Sequence, residues 1–287
     1  MSRGVLYMAM SAFAFSVMAV FVKLASQTLP PGEIVLARAV VTLVLSYVML
    51  RRASISPWGN PSQRGKLVVR GLIGFAALGS YYVSLARLPL ADATTLQNTA
   101  PLVTALLAYW LLGERTGKAG AFAIATGLLG VALIVRPFAD GPDALGIAVA
   151  LGGAMFSALA YVTVRSLQHP RGGPPGEHAL VIVFYFPLVA TPLAIPWAAA
   201  DFVMPDARGW LLLVAMGAVT QLAQVCMTKG LALERAGRAS TYGYLQVCFA
   251  MIWQMLVFDA QPALATVAGA ALIIAGTLAV SAASKRP

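Results

Sequence analysis

The sequence predicts an all-α integral membrane protein, with ten transmembrane helices arranged as two inverted five-helix repeats. Three observations carry that fold class. The 287 residues are 60% hydrophobic and only 10% charged, with mean hydropathy +0.81, whereas soluble domains carry about 25% charged residues. Ten apolar runs lie at approximately 4–26, 33–50, 67–86, 91–112, 117–135, 144–164, 178–199, 209–233, 239–258 and 263–283. Each has the roughly twenty residues a helix needs to cross hydrocarbon. The third observation is an internal echo. At an offset of 146, Leu85-Ala86 falls on Leu231-Ala232, Ala93 on Ala239, Thr94-Thr95 on Ser240-Thr241 and Gly130 on Gly276. At an offset of 142, Gly4, Ala12, Val20, Val22 and Lys23 fall on Gly146, Ala154, Val162, Val164 and Arg165. The predicted halves are residues 1–140 and 141–287.

The charges set the orientation. A net charge of +10 would suggest nucleic acid in a soluble domain, but here the charges lie between apolar runs. With the N-terminus cytoplasmic, the inner side holds Arg3, Arg51, Arg52, Arg64, Lys66, Arg70, Arg115, Lys118, Arg165, Arg171, Arg235, Arg238, Lys285 and Arg286. The outer side holds Arg87, Arg136 and Arg208. The positive-inside rule then places both termini in the cytoplasm. Five spans per half start the second half on the opposite side of the membrane, so the repeats are inverted, as in many secondary transporters. The first run is a retained helix, since it is too long for a signal peptide, lacks an A-x-A cleavage pattern and precedes nine more runs.

Span 1 carries Phe15, Ser16 and Lys23; the lysine either snorkels to the interface or projects into a central space. In span 2, Arg38 follows Glu33 by five residues, and a pair between them or a structural anchor is the expectation. The loop from Arg51 to Lys66, with Pro57 and Pro61, reads as a basic cytoplasmic connector. Span 3 holds Gly71, Gly74 and Gly79, which permit close helix approach, then Tyr81 and Tyr82, of which one should face inward.

Span 4 is the most informative stretch. Thr94, Thr95, Gln97, Asn98 and Thr99 precede Pro101, and a proline there deprives the Gln97 carbonyl of its helical partner. Non-helical backbone at membrane depth needs cover from protein or a water-lined cavity, so this segment is expected to face a cavity or to kink against its neighbours. Span 5 spaces Gly120, Gly127 and Gly130 along one packing stripe. A link at Asp140, Gly141, Pro142 and Asp143 separates the halves.

Span 6 repeats the pattern of span 1 with Ser157, Tyr161 and Arg165. The following loop carries His169 and His178, read as solvated. Span 7 contains Pro187, Pro192 and Pro196 and should not be straight. In span 8, Thr220, Gln221, Gln224 and Thr228 share a polar face, which serves either substrate recognition or interhelical hydrogen bonding. Span 9 holds Tyr242, Tyr244, Gln246, Trp253 and Gln254, and span 10 reads as scaffold. Cys226 and Cys248 lack ligand spacing and read as small packing residues.

The chain resembles the drug/metabolite transporter superfamily, specifically its ten-helix EamA-type exporters. Phe15-Ser16 with Lys23, Leu85-Ala86 with Pro101, and Leu112-Gly113-Glu114-Arg115 carry the likeness, with degenerate copies at Leu231-Ala232 and Ser240-Thr241. Phe15 stands where such families often have tryptophan, and Val247 stands at the counterpart of Pro101. The resemblance implies a bacterial inner-membrane exporter of small metabolites with a central cavity lined by spans 1, 3, 4, 6, 8 and 9. It is similar above all to the branch that exports amino acids, aromatic ones included.

A secondary transporter is therefore expected, not an enzyme, with a small-molecule substrate and the lipid bilayer as partners and no cofactor or metal. No span carries a catalytic acid, His or Cys cluster, and no nucleotide-binding G-x-x-x-x-G-K-[ST] motif is present. Broad-specificity drug or nucleotide-type efflux, or a non-transporting membrane scaffold, are the alternatives. No acidic residue lies in the middle of a predicted span, so the expectation is export down the substrate gradient without a carboxylate relay. A zwitterionic amino acid suits such a cavity, since Gln, Asn, Thr and Tyr bind its ends without a buried permanent charge. The candidate substrate-binding residues are Tyr82, Asn98, Tyr161, Gln221, Gln224, Tyr244, Gln246, Trp253 and Lys23. Pro101 and Gln97 are the candidate hinge or cavity backbone.

Overall fold

The computed structural model describes residues 3–100, 103–104, 122, 125–127, 129–130, 133, 143–168, 175–233 and 245–283. Among these residues all regular structure is helical. The helices are α1 (Arg3–Ala25), α2 (Pro31–Arg52), α3 (Arg64–Arg87), α4 (Leu90–Gln97), α5 (Ala144–Gln168), α6 (Ala179–Ala200), α7 (Ala207–Leu233), α8 (Leu245–Phe258) and α9 (Leu264–Ala283), with a 3₁₀ turn at Pro61–Gln63. Six of them, α1 to α3 and α5 to α7, are long and apolar enough to cross a membrane, the third counted together with its preceding turn. Most of expected span 5, and part of spans 4 and 9, lie outside the described residues.

Local chemistry fixes the ends. Pro30 and Pro31 open α2, where a missing N–H is harmless, with Glu33 in its first turn and Arg51 and Arg52 in its last. Leu88 is extended (φ −107°, ψ 158°) ahead of Pro89 and ends α3. Asp143 caps α5, its Oδ1 accepting from the Leu145 amide at 2.9 Å. His178 caps α6 through Nδ1, which accepts from the Leu180 amide at 3.2 Å. A structural role thus occupies one of the two loop histidines. The three prolines of α6 sit within one continuous helix.

The polar stretch before Pro101 breaks as the sequence implies. Helix α4 stops at Gln97, Asn98 and Thr99 form a turn, and the Thr99 amide reaches back three residues to the Leu96 carbonyl at 3.1 Å. Gln254 holds the start of α4, its Oε1 accepting from the Ala91 amide at 2.8 Å.

Packing follows small residues, as expected where lipid removes the hydrophobic drive between helices. A Cβ on Gly230 of α7 would stand 2.5 Å from Met8 Sδ of α1, and one on Gly153 of α5 would stand 3.0 Å from Ser80 of α3. Along the same pairs, Ser11 Oγ donates to the Ala223 carbonyl at 3.0 Å, and Gly146 faces Leu88. So α1 lies antiparallel on α7, and α5 antiparallel on α3. Gly32 against Trp197, and Tyr47 6.4 Å from Phe184, set α2 antiparallel to α6. Lys23 and Leu85, near the ends of α1 and α3, meet, so those two helices run the same way. Helix α5 runs against α3, and therefore against α1.

The buried apolar residues form two clusters. One contains Met18, Ile34, Tyr82, Leu85, Leu90 and Leu213; the other contains Met8, Leu50, Leu67, Val164, Val181 and Leu231. Phe15 packs against both. Large side chains elsewhere, including Phe13, Val44, Leu72, Leu211, Val214 and Leu222, point outward, the arrangement lipid-facing surfaces require.

Candidate functional site

Between the two clusters lies a cavity of about 100 Å³. Helix α1 contributes Phe15 and Met18, α2 Arg38, α3 Arg70, Gly74 and Tyr81, and α4 Gln97. Ser157 and Tyr161 enter from α5, Phe186 from α6, Gln224 from α7 and Gln246 from α8.

One wall is a hydrogen-bonded array. Gln97 Nε2 donates to Ser157 Oγ at 2.7 Å, and Gln97 Oε1 is buried without a partner among the described residues. Gln246 Nε2 donates to the Tyr81 hydroxyl at 3.4 Å, and that hydroxyl also pairs with Thr94 Oγ1 at 3.1 Å. The lining is also cationic. Arg38 and Arg70 are each only 4% exposed. The Arg38 guanidinium carbon sits 5.5 Å from the Phe186 ring centroid and 5.5 Å from that of Tyr82. Arg70 sits 5.2 Å from the Phe186 centroid. Nε of Arg38, and Nε and Nη1 of Arg70, have no hydrogen-bond partner among the described residues.

The arginines correct two expectations. Arg38 does not pair with Glu33. Five residues turn a helix by about 140°, so the two side chains leave opposite sides of α2, and Glu33 Oε2 instead accepts from the Val203 amide at 3.2 Å. Nor is the cavity free of permanent charge. Arg70, assigned by sequence to the basic inner rim, lies two turns inside α3, where Gly74 leaves room for its guanidinium. A Cβ on Gly74 would overlap Arg70 Nη1 and stand 2.8 Å from the Phe186 ring. The sequence signal was available: an arginine with a glycine four residues on, the spacing that brings side chains together on one helix face.

A cation over an aromatic face gains about 2 kcal/mol or somewhat more when desolvated. Withdrawing an ion from water costs several kcal/mol even after relaxation. Ring stacking alone does not balance two such burials. Among the described residues the only ion pair is Arg87 with Asp143, between the end of α3 and the start of α5. There the Arg87 guanidinium holds the Asp143 carboxyl below the usual carboxylate range.

The predicted residues divide accordingly. Tyr161, Gln224, Gln246 and Gln97 line the cavity. Tyr81 lines it in place of Tyr82, whose hydroxyl donates to Met18 Sδ at 3.1 Å and Met216 Sδ at 3.7 Å. Asn98 turns back on its own helix, Nδ2 donating to the Thr94 carbonyl at 2.9 Å. Gln221 accepts from Ser46 Oγ at 3.1 Å and donates to Met49 Sδ at 3.4 Å, between α2 and α7. Trp253 Nε1 donates to Ser16 Oγ at 3.0 Å. Lys23 donates at 2.8 Å to each of the Leu85 and Leu88 carbonyls, closing the end of α3. None of Tyr82, Asn98, Gln221, Trp253 and Lys23 is among the residues lining this cavity. Tyr244 and Pro101 lie outside the described residues.

Comparison with known proteins follows the same lines. The family description "EamA-like transporter family" matches residues 2–136 and 144–282, two successive stretches of the chain. The pseudopaline exporter CntI of Pseudomonas aeruginosa is 36% identical, over 98% of this chain and 96% of the relative. Solute carrier family 35 member G1 of Homo sapiens is 29% identical, over 96% of this chain and 78% of its own. A solved crystal structure superposes with a TM-score of 0.72 at 18% identity, covering 99% of this chain and 98% of the other, which speaks to fold alone.

Proposed function

This chain belongs to the EamA-like transporter family, and from that premise we propose that it exports amino acids or similar small metabolites by alternating access through the central cavity. As a multi-pass membrane transporter with exporter-named relatives it is not an enzyme. The observation that carries the finer reading is the cavity itself. Glutamine, tyrosine and serine side chains from α3, α4, α5 and α8 converge there between two apolar clusters. Such a lining orients a small polar solute, and the surrounding helices seal it from lipid.

The helix arrangement supports two inverted repeats of five spans, residues 1–140 and 141–287. Exchanging the halves turns the α1–α7 contact into the α5–α3 contact and leaves α2–α6 in place. The counterparts α1 and α5 run in opposite directions. In that architecture one bundle rocks against the other around a fixed site. The basic loops favour an inner membrane of a bacterium, with both termini cytoplasmic. The pseudopaline exporter favours a second reading, export of pseudopaline or a related metabolite.

Counterflow of labelled amino acids in liposomes containing only this protein tests the proposal. Accumulation of label against unlabelled internal substrate is the expected result. Absence of counterflow for amino acids removes that substrate class.

A further inference from the structure

We infer that Arg38 and Arg70 form an oxyanion clamp and that the cargo is an organic anion carrying at least one carboxylate beyond the amino-acid one. The inference rests on the export reading above and names its substrate class. Both guanidiniums are buried, both line the cavity, and both lie against the single ring of Phe186, at 5.5 and 5.2 Å. The two guanidinium carbons are therefore no more than about 11 Å apart, within reach of two carboxylates of one small molecule.

The donors are of the right kind. Guanidinium presents a planar fork of N–H groups matched to carboxylate or phosphate oxygens. Nε of Arg38, and Nε and Nη1 of Arg70, have no partner from the described residues, although atoms this buried are ordinarily satisfied. None of the described residues lining the cavity is acidic. A zwitterion brings one carboxylate for two guanidiniums; a second carboxylate gives each arginine a partner of its own. In the same lining, Gln97 Oε1 and the Tyr81 hydroxyl offer acceptors for an ammonium or hydroxyl on the same molecule.

An anionic cargo gives the membrane potential a hold on export, with no acidic relay among the described lining residues. Export of an anion moves negative charge outward, and an inside-negative potential of 100 mV favours it by about fifty-fold per charge. The carrier then needs no titrating group in its cavity.

The test uses the full chain in detergent and in liposomes, with succinate, glutamate, leucine and inorganic phosphate as probes. Calorimetric binding should be detectable for succinate or glutamate and at least tenfold weaker in the Arg38→Gln/Arg70→Gln variant. Arg70→Lys, which keeps the charge but loses the fork, should fall between. A monodisperse gel-filtration profile and an unchanged or raised melting temperature show that the variants fold. In liposomes, an outward-directed potential for anions should speed efflux of the bound probe and leave leucine unaffected. Phosphate binding alone, with no carboxylate binding, overturns the carboxylate assignment. Absence of any anion binding to the wild type, or equal binding by the double glutamine variant, overturns the clamp whatever the transport result. Anion binding without counterflow instead overturns the export reading and leaves the clamp standing.

Discussion

Among the described residues, half-buried Lys23 and buried Arg38 and Arg70 hold their charges in opposite ways. At the end of α1, Lys23 finds two carbonyls of its own fold, those of Leu85 and Leu88, each at 2.8 Å. In the central cavity, Arg38 and Arg70 lie against the rings of Phe186 and Tyr82, and three of their nitrogens stay unpaired among the described residues. The first arrangement closes a helix end and is complete without a ligand. The second carries an electrostatic cost that the fold does not offset by itself. A buried charge thus reads as structural or functional according to whether its own chain supplies its partners.

The largest effect that would break this comparison is at Arg70. Arg70→Gln should reduce transport of its substrate by about 10- to 100-fold, the value of a charge-assisted hydrogen bond of about 1.5–3 kcal/mol. The melting temperature should hold or rise, because an unpaired buried charge has been removed. A drop in stability with unchanged transport would make Arg70 another Lys23. Lys23→Met should do the reverse. It orphans two carbonyls at the end of α3 and should lower stability by about 1–3 kcal/mol, read by thermal unfolding, while KM of the folded fraction stays within twofold.

Gly74→Ala sharpens the contrast further. The added methyl displaces the Arg70 guanidinium and the Phe186 ring without removing any charge, and should raise KM several-fold with the chain still folded. The smallest effect belongs to the exposed pair of Arg87 and Asp143. The Asp143 pKa is depressed in the folded chain by the Arg87 hydrogen bond. Its stabilisation is therefore present above the ordinary aspartate pKa of about 3.9 and lost as pH falls through the depressed value. Asp143→Asn keeps the α5 cap and should flatten the stability profile below pH 4 slightly, measured by thermal unfolding from pH 7 to pH 3.

Much of the scaffold was legible because hydrocarbon imposes length. The runs at 4–26, 33–50, 144–164 and 209–233 mark the positions of α1, α2, α5 and α7. The break ahead of Pro101 was legible for a similar reason, since a proline dictates which carbonyl loses its bond. The site was legible only in part. Gln97, Tyr161, Gln224 and Gln246 were singled out as polar groups deep in apolar runs, and they line the cavity. Adjacent tyrosines on a helix point about 100° apart, which says that one of Tyr81 and Tyr82 faces inward but not which. Arg70 was hidden by its position near the start of an apolar run, where arginines ordinarily mark the membrane boundary. What distinguishes it from Arg64, which has Val68 four residues on, is Gly74 and the Phe186 ring that packs there. Lys23 and Gln221 were polar for interhelical reasons, which composition cannot separate from binding.

The account turns on one claim, that the cavity bounded by Arg38, Arg70, Gln97 and Tyr161 opens in turn to each side of the membrane. Ser157, which lines it near the middle of α5, can be replaced by cysteine in a Cys226→Ser/Cys248→Ser background and probed in vesicles of both orientations with a membrane-impermeant thiol reagent. The account predicts labelling from both sides, slowed by bound substrate. A cysteine at this position that reacts from neither side, in a variant that still transports, would contradict it.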